Sequence, residues 1–353
     1  MKKTILAALL VASGVAQAQS SVTMFGIIDA NIQYGTGSTS NMTQMGSGGL
    51  NASRFGFRGQ EDLGGGLWAG FWLESGFLTD SGTGTATNTN NTSSGATAAG
   101  PLVFGRRSTV SLGGNWGELR LGRDFSSQYQ NRVTYDPFGN NGVGATQAFI
   151  GALAGPTTRV SNSVTYFAPQ NSLGIYGQAQ VYRGEQPSTA GATKNDGNGL
   201  TGRIGWRNSS FDIAVAQGRT KYATTATLGD ITSTNIGARY DFKDISVMGA
   251  YFRDKVETTA GLVGKGGHVA GIWRVGVGEV KAMYSYYETS AAGNPETKKL
   301  SLGYVHNLSK RTALYTTVAR VNNSGGATAA LNGSVTQANR SSSGMDLGIR
   351  HSF

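Results

Sequence analysis

The chain has 353 residues, no cysteine, 54 glycines, 6 prolines and 14% charged residues. Those figures exclude a disulfide-stapled scaffold, a collagen-like or proline-rich chain, and a disordered chain held open by charge. A formal charge of +10, from 30 Lys and Arg against 20 acids, brings nucleic acid, acidic lipid and anionic solutes into view as partners, and where the arginines sit decides among them.

Lys2 and Lys3 precede an apolar stretch from Ile5 to Val15, and Ala16-Gln17-Ala18 puts small residues at both recognition positions of a cleavage site. This is the pattern of a secretory leader over residues 1–18, with one mature domain over 19–353. The stretch is too short to cross a bilayer as a helix, which takes ~20 apolar residues. Removing Lys2 and Lys3 with the leader lowers the formal charge from +10 to +8. Export makes nucleic acid an unlooked-for partner. No later apolar run approaches ~18 residues, so a membrane span can only be built of strands closed into a barrel.

From Val22 onward the apolar residues Val22, Met24, Ile28 and Ile32 alternate with Thr23, Asp29, Asn31 and Gln33, a period of two. The alternation recurs at Phe55/Phe57 against Arg54/Arg58, at Ala69/Phe71/Leu73 against Glu74, and at Val110/Leu112 against Arg107/Thr109/Ser111. It continues at Leu119/Leu121 against Arg120, Ile204/Trp206 against Arg203/Arg207, Val280/Ala282/Tyr284/Tyr286 against Lys281/Ser285, and Leu300/Leu302/Tyr304 against Lys299/Ser301. One face of each strand is apolar and the other carries charges that a soluble core could not hold.

Two kinds of connection alternate between these strands. Short turn-rich links lie at Glu61–Gly66, Gly113–Gly117, Pro169–Gly174, Asn208–Ser210, Asp241–Asp244, Gly276–Gly278 and Asn307–Arg311. Long polar links lie at Gly35–Ala52, Leu78–Val103, Phe125–Val160, Gly184–Asn198, Arg219–Ser233, Lys255–Gly266, Thr289–Glu296 and Asn322–Ser343. Seven short and eight long links join sixteen strands, the layout of an antiparallel transmembrane β-barrel with short periplasmic turns and long outer loops. At ~10 residues per tilted strand, sixteen strands use about 160 residues and loops take the rest.

Other signals are weak. The glycine-rich pieces Asp62–Gly66 and Gly113–Gly117 lack the lysine and helix context of a phosphate loop. His268, His306 and His351 share no metal-ligand spacing, no Gly-x-Ser-x-Gly element is present, and the reading is of a protein that is not an enzyme and takes no cofactor. Trp68, Tyr240, Phe242, Tyr284, Tyr286, Tyr304 and Phe353 lie at or near strand ends, where aromatic girdles sit at membrane interfaces.

The chain closes on Met345-Asp346-Leu347-Gly348-Ile349-Arg350-His351-Ser352-Phe353, an alternating strand with an aromatic last residue. With Ser21–Ala30, Ser53–Phe77, Arg106–Asp124, Tyr135–Gly139 and Gly303–Tyr315, it resembles the general diffusion porins of Gram-negative bacteria, of the beta-proteobacterial type. The resemblance implies an outer-membrane homotrimer whose subunits are water-filled pores for passive diffusion of small hydrophilic solutes and ions. It implies that Phe353 belongs to the signal read by the outer-membrane assembly machinery, and that Leu78–Val103 latches onto a neighbouring subunit. It implies that the third loop, Phe125–Val160, folds into the barrel as a constriction opposite a ladder of basic residues, matched here by Arg54, Arg106 and Arg159.

Period two independently turns Arg54 and Arg58 inward but leaves Arg106 ambiguous, because it shares parity with Val110 and Leu112. Either Arg106 lies beyond the lipid band, or a bulge intervenes, or Arg107 is the lumen residue. Guanidiniums there would favour anions, with Glu74, Asp124 and Asp136 tuning the preference. Lipopolysaccharide bound by loop cations competes as an explanation of the positive excess. A substrate-specific channel and an adhesin or receptor barrel are the alternative functions.

Overall fold

The computed structural model describes residues 21–92, 97–98, 103–146 and 158–353. The expected leader, residues 1–18, lies outside them, as do the stretches 93–96, 99–102 and 147–157 of the second and third long connections.

In chain order the first strands are β1 (Ser21–Thr36), β2 (Met42–Ser47), β3 (Arg54–Gly64), β4 (Leu67–Gly76), β5 (Thr87–Asn88), β6 (Thr97–Ala98), β7 (Arg107–Gly114) and β8 (Gly117–Phe125). A helix, α1 (Ser127–Tyr135), follows. The remaining strands are β9 (Arg159–Ala168), β10 (Ile175–Tyr182), β11 (Gly199–Arg207), β12 (Phe211–Thr220), β13 (Ile231–Asp241), β14 (Ile245–Val256), β15 (Leu262–Val275), β16 (Gly278–Thr289), β17 (Glu296–Asn307), β18 (Thr312–Ser324) and β19 (Ser342–Ser352). With β2, β5 and β6 set aside, sixteen strands pair antiparallel with their chain neighbours, and β19 closes the ring against β1 from Ile27↔Ser352 to Thr36↔Ser343. Closure leaves no edge with unpaired backbone groups, which is the condition for a sheet to stand in lipid.

The outward face is a continuous apolar surface: Val22, Met24, Ile28, Val110, Val269, Leu300, Leu302 and Leu347 are all exposed. The inward neighbours Asp29, Asn31, Thr109, Ser111, Asn235, Asp254, Ser285 and Asp346 are buried. Polar inside and apolar outside inverts a soluble core and suits a lipid-embedded barrel around water.

The seven short links fall where the turn chemistry put them, but the long connections hold more structure than their sequences announced. Gly35–Ala52 is not one open loop. β1 pairs with β3 over Ser21–Ile27 and then with β2 over Ala30–Gly35, so residues 48–53 bulge out of the ladder. In β2, Thr43 and Met45 stand opposite Tyr34 and Ile32 on the outer face, while Gln44 donates to Gln33 at 2.8 Å. β14 and β15 also run past the expected Lys255–Gly266 loop and leave only residues 257–261 between them. Trp68 departs from the girdle expectation: it pairs with Gly113, on the parity of Trp72 and Glu74, and turns to the lumen.

In the second long connection, β5 and β6 form a two-stranded ribbon. Asn91 docks on the chain's own rim, its Nδ2 donating to the carbonyls of Ser161 and Arg183 at 2.9 and 3.0 Å, while the Tyr222 hydroxyl donates to the Asn91 carbonyl at 2.5 Å.

Candidate functional site

The third long connection supplies one side of the site. Ser126 caps α1 by accepting from the Tyr129 amide at 3.4 Å. The helix carries no apolar stripe, so its place is fixed by polar bonds to the barrel wall. Asn131 Nδ2 donates to Asn235 Oδ1 at 2.7 Å and to the Ala214 carbonyl at 3.1 Å. Arg132 Nη2 donates to both carboxylate oxygens of Asp254 at 2.7 and 2.8 Å. The Tyr135 hydroxyl donates to Asp212 Oδ1 at 2.7 Å. Burial, with the Asp212 carboxylate beside it, pushes that hydroxyl above its usual range and keeps it a donor.

Past the helix the chain crosses the barrel interior. Phe138 packs with Met248, Ala270, Ile272 and Met283. Asp136 closes the turn by accepting from the amides of Phe138 and Thr146 at 2.8 and 2.9 Å. Asn141 Oδ1 accepts from the Ala52 amide at 3.1 Å, which joins the loop to the bulge at 48–53. Lys299 Nζ donates to the carbonyls of Val143 and Ala145, and Asp346 Oδ2 accepts from the Val143 amide at 2.8 Å. The loop is thereby held against β10–β19, and the open part of the lumen is left on the side of β3–β9.

That open side is an arginine wall. Arg54 Nη1 stands 3.5 Å from Glu74 Oε1, which also takes Arg106 Nε at 2.6 Å. Arg159 Nε donates to the Arg106 carbonyl at 2.8 Å and its guanidinium lies over the Phe125 ring at 4.4 Å. Arg107 Nε is 3.5 Å from Asp124 Oδ2, and Arg120 Nη1 reaches the same oxygen at 2.6 Å. Arg120 also makes a fork to Glu118 at 2.8 and 2.9 Å. Arg58 completes the set, 5.1 Å from the Trp72 ring. Six guanidiniums thus face three carboxylates, leaving a formal excess of three positive charges. Five of the guanidiniums, Arg54, Arg106, Arg107, Arg120 and Arg159, and two of the carboxylates, Glu74 and Asp124, line a cavity of about 250 Å3 that Gln130 of α1 also lines, so the excess of three positive charges falls there.

The parity question at Arg106 has a structural answer. Arg107 opens β7 in register with Glu74, on the lumen face. Arg106 precedes the strand, escapes its alternation, and reaches Glu74 from the coil. Asp136 is not brought to the wall: it is buried in the turn of the inserted loop, satisfied by backbone amides. Arg120 and Glu118 were not singled out as site residues, although Arg120 alternates with Leu119 and Leu121. Among the described residues no three His, Cys, Asp or Glu side chains converge on a point that could hold a metal ion. Phe353 closes the barrel seam, exchanging two backbone hydrogen bonds of 3.0 Å with Gly26.

A closed sixteen-stranded barrel with a lipid-facing apolar surface, a polar lumen and an inserted loop defines the class: a transmembrane diffusion channel. The chain belongs to the Gram-negative porin family, whose model matches residues 6–326. Outer membrane porin protein 32 of Delftia acidovorans is 36% identical over the full length of both chains. An outer membrane porin protein of Bordetella pertussis is 30% identical over 89% of this chain and 93% of its own. Among solved structures, an anion-selective porin from Comamonas acidovorans superposes with a TM-score of 0.83 at 33% identity, over 95% of this chain and all of its own. The protein is an outer-membrane porin that passes small hydrophilic solutes and ions by diffusion.

Proposed function

We propose that the pore prefers anions and that its filter is the wall of Arg54, Arg58, Arg106, Arg107, Arg120 and Arg159, tuned by Glu74, Glu118 and Asp124. The observation that supports this most strongly is the uncompensated excess of three positive charges around so small a cavity, which the neutral Gln130 also lines. Guanidiniums remain charged throughout the accessible pH range, and low-dielectric walls focus their field on the path of the solute. An anion entering trades water for a row of N–H donors; a cation meets a barrier. Asp136 takes no part in that filter and instead shapes the loop.

The working unit is a homotrimer, its leader over residues 1–18 is removed on export, and Phe353 is read during assembly. Lipopolysaccharide contacts the outer rim. Transport needs no cofactor and no catalysis. Swelling of liposomes containing the protein tests the filter directly: a small monocarboxylate should enter faster than an alkylammonium ion of equal size. Equal rates, or faster entry of the cation, would refute it.

A further inference from the structure

Below the constriction, toward the short turn between β3 and β4, the wall changes chemistry. The Trp68 indole lies against the sheet above two glycines: a Cβ on Gly113 would stand 2.2 Å from its Cζ2 and one on Gly70 would stand 3.4 Å from its Cζ3. Only glycine at 113 lets the ring settle there, and the ring lines a cavity of about 380 Å3 together with Arg58, Arg107, Arg120, Glu118, Gln60 and Trp72. That volume falls in the range of small-molecule sites, ~300–1,000 Å3.

The charges around it are unequal. Arg120 is occupied by Glu118 and Asp124, and Arg107 by Asp124. Arg58 is exposed, and among the described residues its side chain makes no ion pair or hydrogen bond; its guanidinium rests on the rings of Phe25 and Trp72 at 5.4 and 5.1 Å. Those rings hold the fork in place without using its donors, so its N–H groups remain open to a solute. Trp72 is fixed in turn by its Nε1, which donates to Glu74 at 3.1 Å.

From this juxtaposition we infer that the cavity is a transit subsite for planar aromatic carboxylates. The ring of the solute stacks on the Trp68 indole and its carboxylate takes the open guanidinium of Arg58. A small aliphatic acid gains only the charge, and a neutral aromatic gains only the stack. Binding is weak, as it must be for a solute that leaves by the same path.

The inference rests on the anion-preferring lumen proposed above, and its test separates the two. In planar bilayers holding the purified trimer, sodium benzoate, sodium acetate and benzyl alcohol are compared as blockers of the chloride current. Benzoate should reduce it saturably, while acetate and benzyl alcohol do not. In Trp68→Leu and in Arg58→Gln the half-blocking concentration of benzoate should rise about three- to tenfold. Trp68→Phe, which keeps a ring, should fall between. Equal action of benzoate and acetate on the wild-type channel would overturn the subsite without any variant, and so would an unchanged half-block in Trp68→Leu. Chloride preference without benzoate block refutes the subsite alone, whereas cation preference refutes the filter.

Discussion

Arg132 and Asp254 stand 122 residues apart in the chain and meet inside the barrel, where one guanidinium nitrogen donates to both carboxylate oxygens at 2.7 and 2.8 Å. Both side chains are nearly withdrawn from water, and Asp254 is held further by the hydroxyls of Ser233 and Tyr287 at 2.5 and 3.2 Å. This pair ties a polar helix to β14. It makes the inserted loop a fixed part of the wall.

Breaking that pair should therefore cost both stability and channel quiet. Asp254→Ala takes the carboxylate away from a buried guanidinium, a loss of about 3–5 kcal/mol. The expected result is a lower temperature for the heat-induced mobility shift on gels, with open-channel current noise above wild type. Wild-type noise with lowered thermal stability would show that the loop is held without this pair.

Gly142 tests the same loop from its far side. Its φ is +62° and a Cβ there would sit 2.2 Å from the Gly49 carbonyl oxygen, where the loop presses on the bulge at 48–53. Gly142→Val combines an unfavourable left-handed backbone with that clash, and should destabilise by more than ~1 kcal/mol. Thermal melting of the detergent-solubilised protein measures it, with Gly326→Val as the comparison, since that glycine has nothing within reach of a Cβ.

The pH dependence has a definite sign. Near neutrality guanidiniums as a class stay charged, so selectivity should stay level. Acid strong enough to neutralise carboxylates raises the formal excess on the wall above three positive charges. Anion preference should rise on acidification in salt-gradient potentials. A drop centred near pH ~6.5 would assign the filter to histidine instead.

Raising the salt should weaken the filter. The screening length falls from ~10 Å at 0.1 M to ~3 Å at 1 M, shorter than the span of the wall. The chloride-to-potassium permeability ratio should decline over that range; a ratio independent of salt would point to selection by size alone.

The barrel was legible because period two is a local signal: a strand wet on one side and lipid-covered on the other must write it into every second residue. Arg54, Arg58 and Arg107 inherit their direction from that rule. Arg106 did not, since it stands outside the strand. Arg123 also falls out of register, at the β8 irregularity between Gly122 and Asp124, and its Nη1 bonds the Asn88 carbonyl and the Ser161 hydroxyl.

α1 left no trace because Ser127–Tyr135 has no apolar stripe; partners from β10–β14, distant in the chain, stabilise it. Trp68 was readable but misassigned: it shares parity with Glu74, and nearness to a turn suggested a girdle that the alternation contradicts. Arg120 likewise sat on the polar face of its strand. Its pairing with Asp124 required the fold.

The central claim is that arginines set the sign of the pore's selectivity, and the zero-current potential across a potassium chloride gradient measures that sign directly. Wild-type channels should give a potential of anion sign. In Arg54→Ala/Arg106→Ala/Arg159→Ala it should fall toward zero or reverse, the permeability ratio changing about two- to tenfold for each charge removed. A wild-type potential of cation sign, or an anion-sign potential that survives the triple substitution unchanged, would contradict the account.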